Sequence, residues 1–295
     1  MFSHINALSI DKKLMDLLIS CEIECIIHSV FQRAINLKSF GGDMISIVSG
    51  GNGPNTIVVP EKFNFTQVPL NTFVTCSDQG IFFYKGLFVS FNKIFLWEYV
   101  PGEINTCNLK ENLLYVLSFF SSQPCLEPQE IIREKLLSIQ SLSAATMLYE
   151  SIISLIKAIK DNSRGRINSS LSRIIGTGEG LTPAGDDFSV GLLGVLYYFK
   201  RTLKYGERAR NILDIIKEEI DIEKTNFISS RFLSFSLEGR FSQTVLEFLD
   251  ILFSPEPVIE KPLRNLLSYG ASSGTATVLG ILSGILLFVD NMLYV

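Results

Sequence analysis

Along the first hundred residues, hydrophobic positions come in short β-rich runs broken by Gly, Asn and Pro. Glu24–Phe31, Met44–Val48, Thr56–Val59, Thr72–Thr75 and Gly80–Tyr84 have the length of strands. Phe88–Phe91 and Ile94–Glu98 continue the series on either side of Asn92-Lys93. Strands at this spacing, with hairpin-type breaks, predict an antiparallel barrel or sandwich. Ahead of them, residues 3–20 predict a short helix capped by Ser9 or Asp11.

After Pro101-Gly102 the period changes. Asn112–Phe120 is apolar and helix-compatible, and Pro124 and Pro128 break it. Glu127–Gln140 and Ala144–Lys160 place apolar residues at i, i+3, i+4. Asp161–Ser170 is polar and reads as a turn carrying the charges of Arg164 and Arg166. Arg208–Ile220 is amphipathic. Thr225–Glu238 predicts a helix stopped by Gly239. Ser242 caps another, which ends before Pro255 and Pro257, and Pro262–Ser268 opens the last segment. The expected class is α+β, with a β-rich domain over 1–105 and a mostly helical one over 106–295.

Within the helical part, two nearly all-apolar runs stand out, Phe188–Phe199 and Val278–Val289. Each has 12 residues, short of the ~20 that span a bilayer, so no membrane association is expected. Each follows a loop of small residues: Gly176-Thr177-Gly178-Glu179-Gly180-Leu181-Thr182-Pro183-Ala184-Gly185-Asp186-Asp187, and Gly270-Ala271-Ser272-Ser273-Gly274-Thr275. In each, a loop glycine is followed six positions later by one inside the helix, Gly185 by Gly191 and Gly274 by Gly280. Glycine weakens a helix, so its recurrence here predicts close packing of the two helices, with Gly194 and Gly284 as further small positions.

Side by side and parallel, the two amino termini would make an anion site. Gly178, Gly180 and Gly185 would cradle the anion by their backbone. Hydroxyls of Thr177, Thr182, Ser272, Ser273 and Thr275, beside Gly274, would add donors. Asp186 and Asp187 suit the start of a helix but would repel an anion. Either they hold a Mg²⁺ that bridges to it, or they accept hydrogen bonds from amide N–H groups. A second glycine cluster, Gly50–Asn55, reads as a hairpin loop, or as a source of backbone N–H groups for a ligand.

Composition narrows the classes. The 295 residues are 47% hydrophobic and 19% charged with net charge −4, which argues against a disordered chain and makes nucleic acid a poor partner. Five scattered cysteines suggest free thiols in a reducing compartment, and a start without signal-peptide character leads us to expect the cytoplasm. With only His4 and His28 available, a multi-histidine metal centre is nearly excluded, and no nucleophile–base pair is legible.

The loop Gly178–Phe188 resembles the AllH family, whose signature is similar to G-x-G-L-T-P-S-G-D-D-F. Gly178, Gly180, Leu181, Thr182, Pro183, Gly185, Asp186, Asp187 and Phe188 match it. Val30–Leu37, Gly51-Asn52-Gly53-Pro54, Thr225–Arg240 and Gly270–Gly274 resemble its other motifs. Departures are Glu179 and Ala184, where proline and serine are more usual, and Ala276, where many members carry an acidic residue. The resemblance implies a subunit of oxamate carbamoyltransferase, working with other subunits in allantoin (purine) breakdown. Its reaction would be phosphorolysis of oxalurate to oxamate and carbamoyl phosphate, or the reverse. Asp186, Asp187 and Thr182 would then act at the reacting group, with Ser272, Ser273 and Gly274 at the second mouth. Arg33, Asn36 and Asn52 would reach in from the β domain. Two other classes stay open, a non-catalytic subunit binding a small anion or nucleotide, and a metal-dependent hydrolase using Asp186 and Asp187.

Overall fold

The computed structural model describes residues 3–84, 86–120, 128–255 and 258–288. The chain divides into two compact units, Met1–Val100 and Pro101–Val295. Pro124, Cys125, Pro257 and Val289 lie outside the described residues.

In the first unit ten strands form one sheet: β1 (Ser3–Asn6), β2 (Ser9–Asp11), β3 (Ile23–Val30), β4 (Ala34–Ser39), β5 (Met44–Val48), β6 (Thr56–Val58), β7 (Phe73–Ser77), β8 (Gly80–Phe83), β9 (Leu87–Ser90) and β10 (Phe95–Trp97). Their order is β1-β9-β8-β7-β3-β4-β5-β6-β2-β10. Because β1 and β2 are one segment broken only at Ala7-Leu8, the first strand of that order and the one next to its last are covalently continuous. The sheet therefore curls round its core of Ile10, Ile27, Ile35, Leu37, Ile47, Ile57, Ile81 and Val89.

The α+β class and the β-rich amino-terminal region stand as expected. The pairing is mixed: β1–β9, β5–β6 and β2–β10 are parallel, and the others antiparallel. Gly50–Asn55 thus joins parallel neighbours and is no hairpin. Ser3–Asn6 and Ser9–Asp11 are strands, paired with β9, β6 and β10, and the short helix expected within residues 3–20 follows them. The helix begins afterwards as α1 (Lys12–Ser20), with Asp11 at the N-cap position.

The second unit contains α2 (Leu109–Phe120), α3 (Pro128–Ile139), α4 (Leu142–Lys160), α5 (Arg164–Ile174), α6 (Ala184–Phe199), α7 (Gly206–Glu219), α8 (Phe227–Leu237), α9 (Gln243–Leu252), α10 (Glu260–Leu267) and α11 (Ser273–Leu286). Residues 101–108 are tied to it by Asn105 N–H on Phe253 O (2.8 Å) and Gly102 N–H on the Asp250 carboxylate. The polar stretch Asp161–Ser170 is largely α5. Ile167, Leu171 and Ile174 bury one face of it, which outweighs the polar residues that suggested a turn.

α4 has 19 residues with mean hydropathy 1.4, long and apolar enough by that measure to cross a membrane. Here it packs against α3 and α5, burying Ala145, Leu148, Ile152, Leu155 and Ile159 along one stripe and exposing Glu150, Ser154 and Lys157. That is the pattern of a helix on a protein core.

α6 and α11 form the centre of this unit. Gly191 meets Thr277 and Ile281, Gly280 meets Phe188 and Leu192, and Gly284 meets Leu192 and Val195. Residue numbers rise together along both helices, so they are parallel. A methyl group at Gly191 would lie 2.0 Å from Thr277 O, and one at Gly280 the same distance from Phe188 O. These glycines let the two backbones touch. Gly194 instead faces Leu249, Phe241 and Val245.

Candidate functional site

Parallel packing brings the entrances of α6 and α11 together. Thr182 Oγ1, one residue before the α6 N-cap Pro183, lies 2.8 Å from Ser273 Oγ in the first turn of α11. The predicted juxtaposition of the two loops is therefore present.

The first entrance is built by backbone reversal. After α5 the chain passes through Gly176 (φ 78°), Gly178 (φ 124°) and Gly180 (φ 98°), positions a side chain rarely adopts. The loop is then tied from outside. Glu179 N–H donates to Gln140 Oε1 (3.0 Å), and Asn226 Nδ2 donates to Leu181 O (2.9 Å). Gly185 packs on the Ile174 carbonyl and its N–H donates to Thr177 O (2.8 Å). At the second entrance Gly274 packs on Leu266 O and donates to Tyr269 O (3.0 Å). These two amides are thus used in closing the loops. Ser272 stands at the α11 N-cap without a side-chain capping bond.

The two carboxylates, adjacent in sequence, meet different surroundings. Asp186 is buried; its Oδ1 accepts from Gly176 N–H (2.7 Å) and its Oδ2 from the Thr225 hydroxyl. The Ser229 hydroxyl faces it without closing a full hydrogen bond. Burial raises the Asp186 pKa, and the Thr225, Gly176 and Ser229 donors pull it back. This carboxylate fastens the loop to the start of α8.

Asp187 has an oxygen, Oδ2, that is buried and has no hydrogen-bond partner. Burial pushes its pKa up to about 7; the Ser273 and Thr182 hydroxyls oppose the rise and the Asp186 charge adds to it. Tyr269, on the α10–α11 connection, has a raised phenol pKa, from desolvation first and the Asp187 charge second. Since 53% of that residue is exposed, the Asp187 charge is the part that bears on the site. A buried acceptor without a donor is costly and uncommon in a folded protein.

Among the described residues no three or more His, Cys, Asp or Glu side chains gather as a metal-binding group. With Asp186 engaged at both oxygens, the mouth offers Asp187 and two hydroxyls, against the six oxygens of a Mg²⁺ shell. A Mg²⁺ would have to bring most of its shell from ligand and water.

Arg33, Asn36 and Asn52 belong to the other unit and are engaged inside it. Arg33 Nε donates to Ser49 Oγ (3.1 Å), and its guanidinium pairs with Glu61 at 3.7 Å. Asn36 is buried, donating to Ser29 Oγ (3.2 Å) and accepting from Ser46 Oγ (2.8 Å). Asn52 Oδ1 accepts from Ser9 Oγ (2.6 Å).

Sequence reasoning missed Gln140, Thr225, Ser229 and Tyr269 as neighbours of the mouths. For Thr225-Asn226 a signal existed: Asn226 caps α8 by accepting from Ser229 N–H (3.2 Å), the signature of a polar residue before an apolar run. That signature places a helix start but not the loop it touches.

Fold and site together define an α+β protein whose helical unit brings the entrances of two parallel helices together. The chain belongs to the AllH family. The pattern described as oxamate carbamoyltransferase subunit AllH matches residues 174–285, and that of the AllH family amino-terminal domain matches residues 6–95. The first match spans both entrances, and the family's name gives the chain the role of a subunit of that enzyme. No curated protein and no solved structure matches it.

Proposed function

We propose that the paired entrances of α6 and α11 bind the small anionic substrates of carbamoyl transfer. In the overall reaction a phosphate oxygen bonds to the ureido carbon of oxalurate, the bond from that carbon to the oxamate nitrogen breaks, and the phosphate proton ends on that nitrogen. Carbamoyl phosphate and oxamate leave; the reverse runs from the same atoms. The observation that carries this reading is Asp187 Oδ2, buried without a partner where two helix amino termini converge.

Two positive dipole ends and the hydroxyls of Thr182 and Ser273 would meet the anionic end of the substrate. Asp186 would keep the loop in place through Gly176 and Thr225. No step is routed through a metal ion. The other subunits of the enzyme are the expected macromolecular partners.

The test is carbamoyl phosphate release from oxalurate and phosphate by the full chain, alone and with its partner subunits. Loss of turnover by 10²-fold or so in Asp187→Asn, in the condition where the wild type is active, supports a catalytic site. Unchanged turnover in that variant refutes it. Ligand-induced thermal stabilisation without turnover in any combination would instead favour a binding subunit.

A further inference from the structure

Asp187 combines three properties that a helix entrance alone does not supply. Its Oδ2 is buried and unpartnered. It stands beside a pair of hydroxyls 2.8 Å apart that bridge two separate helix starts. Its neighbour Asp186, the same residue type one position earlier, has both oxygens satisfied by the protein. The two hydroxyls nearest Asp187 are bonded to each other, so they temper its charge but leave Oδ2 without a closed hydrogen bond. An acceptor left in this state is completed by a ligand that brings its own donor. The ionised Asp187 would repel a carboxylate or phosphate oxygen there, and a methyl group would leave the acceptor unpaired. A primary amide supplies N–H groups and no negative charge at that end.

Resting on the carbamoyl-transfer reading of this mouth, we infer that Asp187 is its specificity-determining residue: it accepts a hydrogen bond from the primary amide of the substrate and so distinguishes an amide from its methyl or carboxylate counterpart. The anionic end of the same molecule then points away from Asp187, toward the hydroxyls and helix dipoles. The substrate class this selects is a small carboxylate bearing a terminal amide two carbons long, with charge at one end and N–H donors at the other. The other titratable groups that act on Asp187 are Asp186 on the same helix and Tyr269 from the α10–α11 connection. Neither provides an N–H. Discrimination between amide and methyl thus falls on the one carboxylate.

Oxamate and pyruvate test this directly, because they share charge and outline and differ only in NH₂ against CH₃. Oxalate supplies the carboxylate counterpart. Titrating the full chain with each, by calorimetry and thermal shift, oxamate should bind at least about tenfold more tightly than pyruvate, since the wrong ligand leaves a buried charged acceptor unpaired. Asp187→Ala should reduce that preference to about twofold or less. Asp187→Val, which has no acceptor and fills more of the space than alanine, guards against a folding defect and should likewise lose most of it, with a far-UV circular dichroism spectrum like the wild type's.

Oxamate and pyruvate binding equally to the wild type would overturn the inference while leaving an anion site at the mouth. Discrimination that survives both substitutions would place the amide reader elsewhere. Failure of all three ligands to bind the chain, alone or with its partner subunits, would overturn the carbamoyl-transfer reading together with the inference.

Discussion

Replacing Asp187 by Asn removes a charge whose carboxyl is held in a desolvated position of the helical unit, without changing its size. The folded pKa stands at about 7 against an ordinary 3.8. At ~1.4 kcal/mol per pH unit, that rise opposes folding by ~4 kcal/mol once the pH is above neutrality. The sign follows from proton counts. Between the two pKa values the native state holds a proton that the unfolded chain has released, so stability falls as pH rises from about 4 to about 7 and is level beyond. About 3 kcal/mol of the loss falls above about pH 5.

Asn cannot ionise, so this part of the slope vanishes in the variant. Urea unfolding followed by far-UV circular dichroism, at about pH 5 and about pH 8, measures it. The stability of Asp187→Asn relative to wild type should increase by ~3 kcal/mol from the lower to the higher pH. With an m-value of ~2–3 kcal/mol/M, the midpoints should separate by ~1 M. Asp186, raised in the same direction, is present in both proteins, and its charge is one cause of the Asp187 shift that the comparison reads. A relative stability that stays constant across that range would refute the claim that the Asp187 carboxyl holds a buried, unsatisfied oxygen.

Thr225→Val deletes the hydroxyl that donates to Asp186. It should cost ~1.5–3 kcal/mol, more at high pH than at low, read as a drop in melting temperature. Gly280→Ala places a methyl 2.0 Å from Phe188 O, and the parallel pair must separate. Destabilisation of ~3 kcal/mol or more is expected by chemical denaturation, and a change under ~1 kcal/mol would mean the helices are not in backbone contact. Gly178→Ala forces a side chain to φ 124° and sets its methyl 2.5 Å from Ala184 N. Its helical content should hold while thermal stabilisation by oxamate disappears.

Much of this architecture is legible in the chain because it rests on local rules. Gly191 and Gly280, helix-weakening residues inside two apolar runs, signal the close packing that α6 and α11 show. The runs Met44–Val48 and Gly80–Tyr84 match the strands Met44–Val48 and Gly80–Phe83 closely because turn residues mark their ends. What was illegible depends on long-range pairing. Ser9–Asp11 has a helical neighbourhood but is claimed as strand by β6 and β10, which lie 47 to 86 positions away in the register. Asp161–Ser170 looked like a turn because its polar residues are the exposed face of a helix whose apolar face docks on α4.

The site shows the same division. Asp186 and Asp187 are indistinguishable as sequence, and both were candidates for the same chemistry. Their roles separate only because Thr225, 39 positions on, returns to one of them. Gly185 and Gly274 read as anion cradles, yet their missing side chains admit the carbonyls of Ile174 and Leu266. Whether a loop glycine makes room for a ligand or for the protein's own backbone is decided by the element behind it.

The central claim is that a substrate amide meets Asp187 between the starts of α6 and α11. The most direct measurement is a crystal structure of the full chain soaked with oxamate and phosphate. The account predicts ligand density at the paired entrances, with the amide nitrogen about 3 Å from Asp187 Oδ2. Ligand bound elsewhere, with Asp187 Oδ2 still unpartnered, would contradict it.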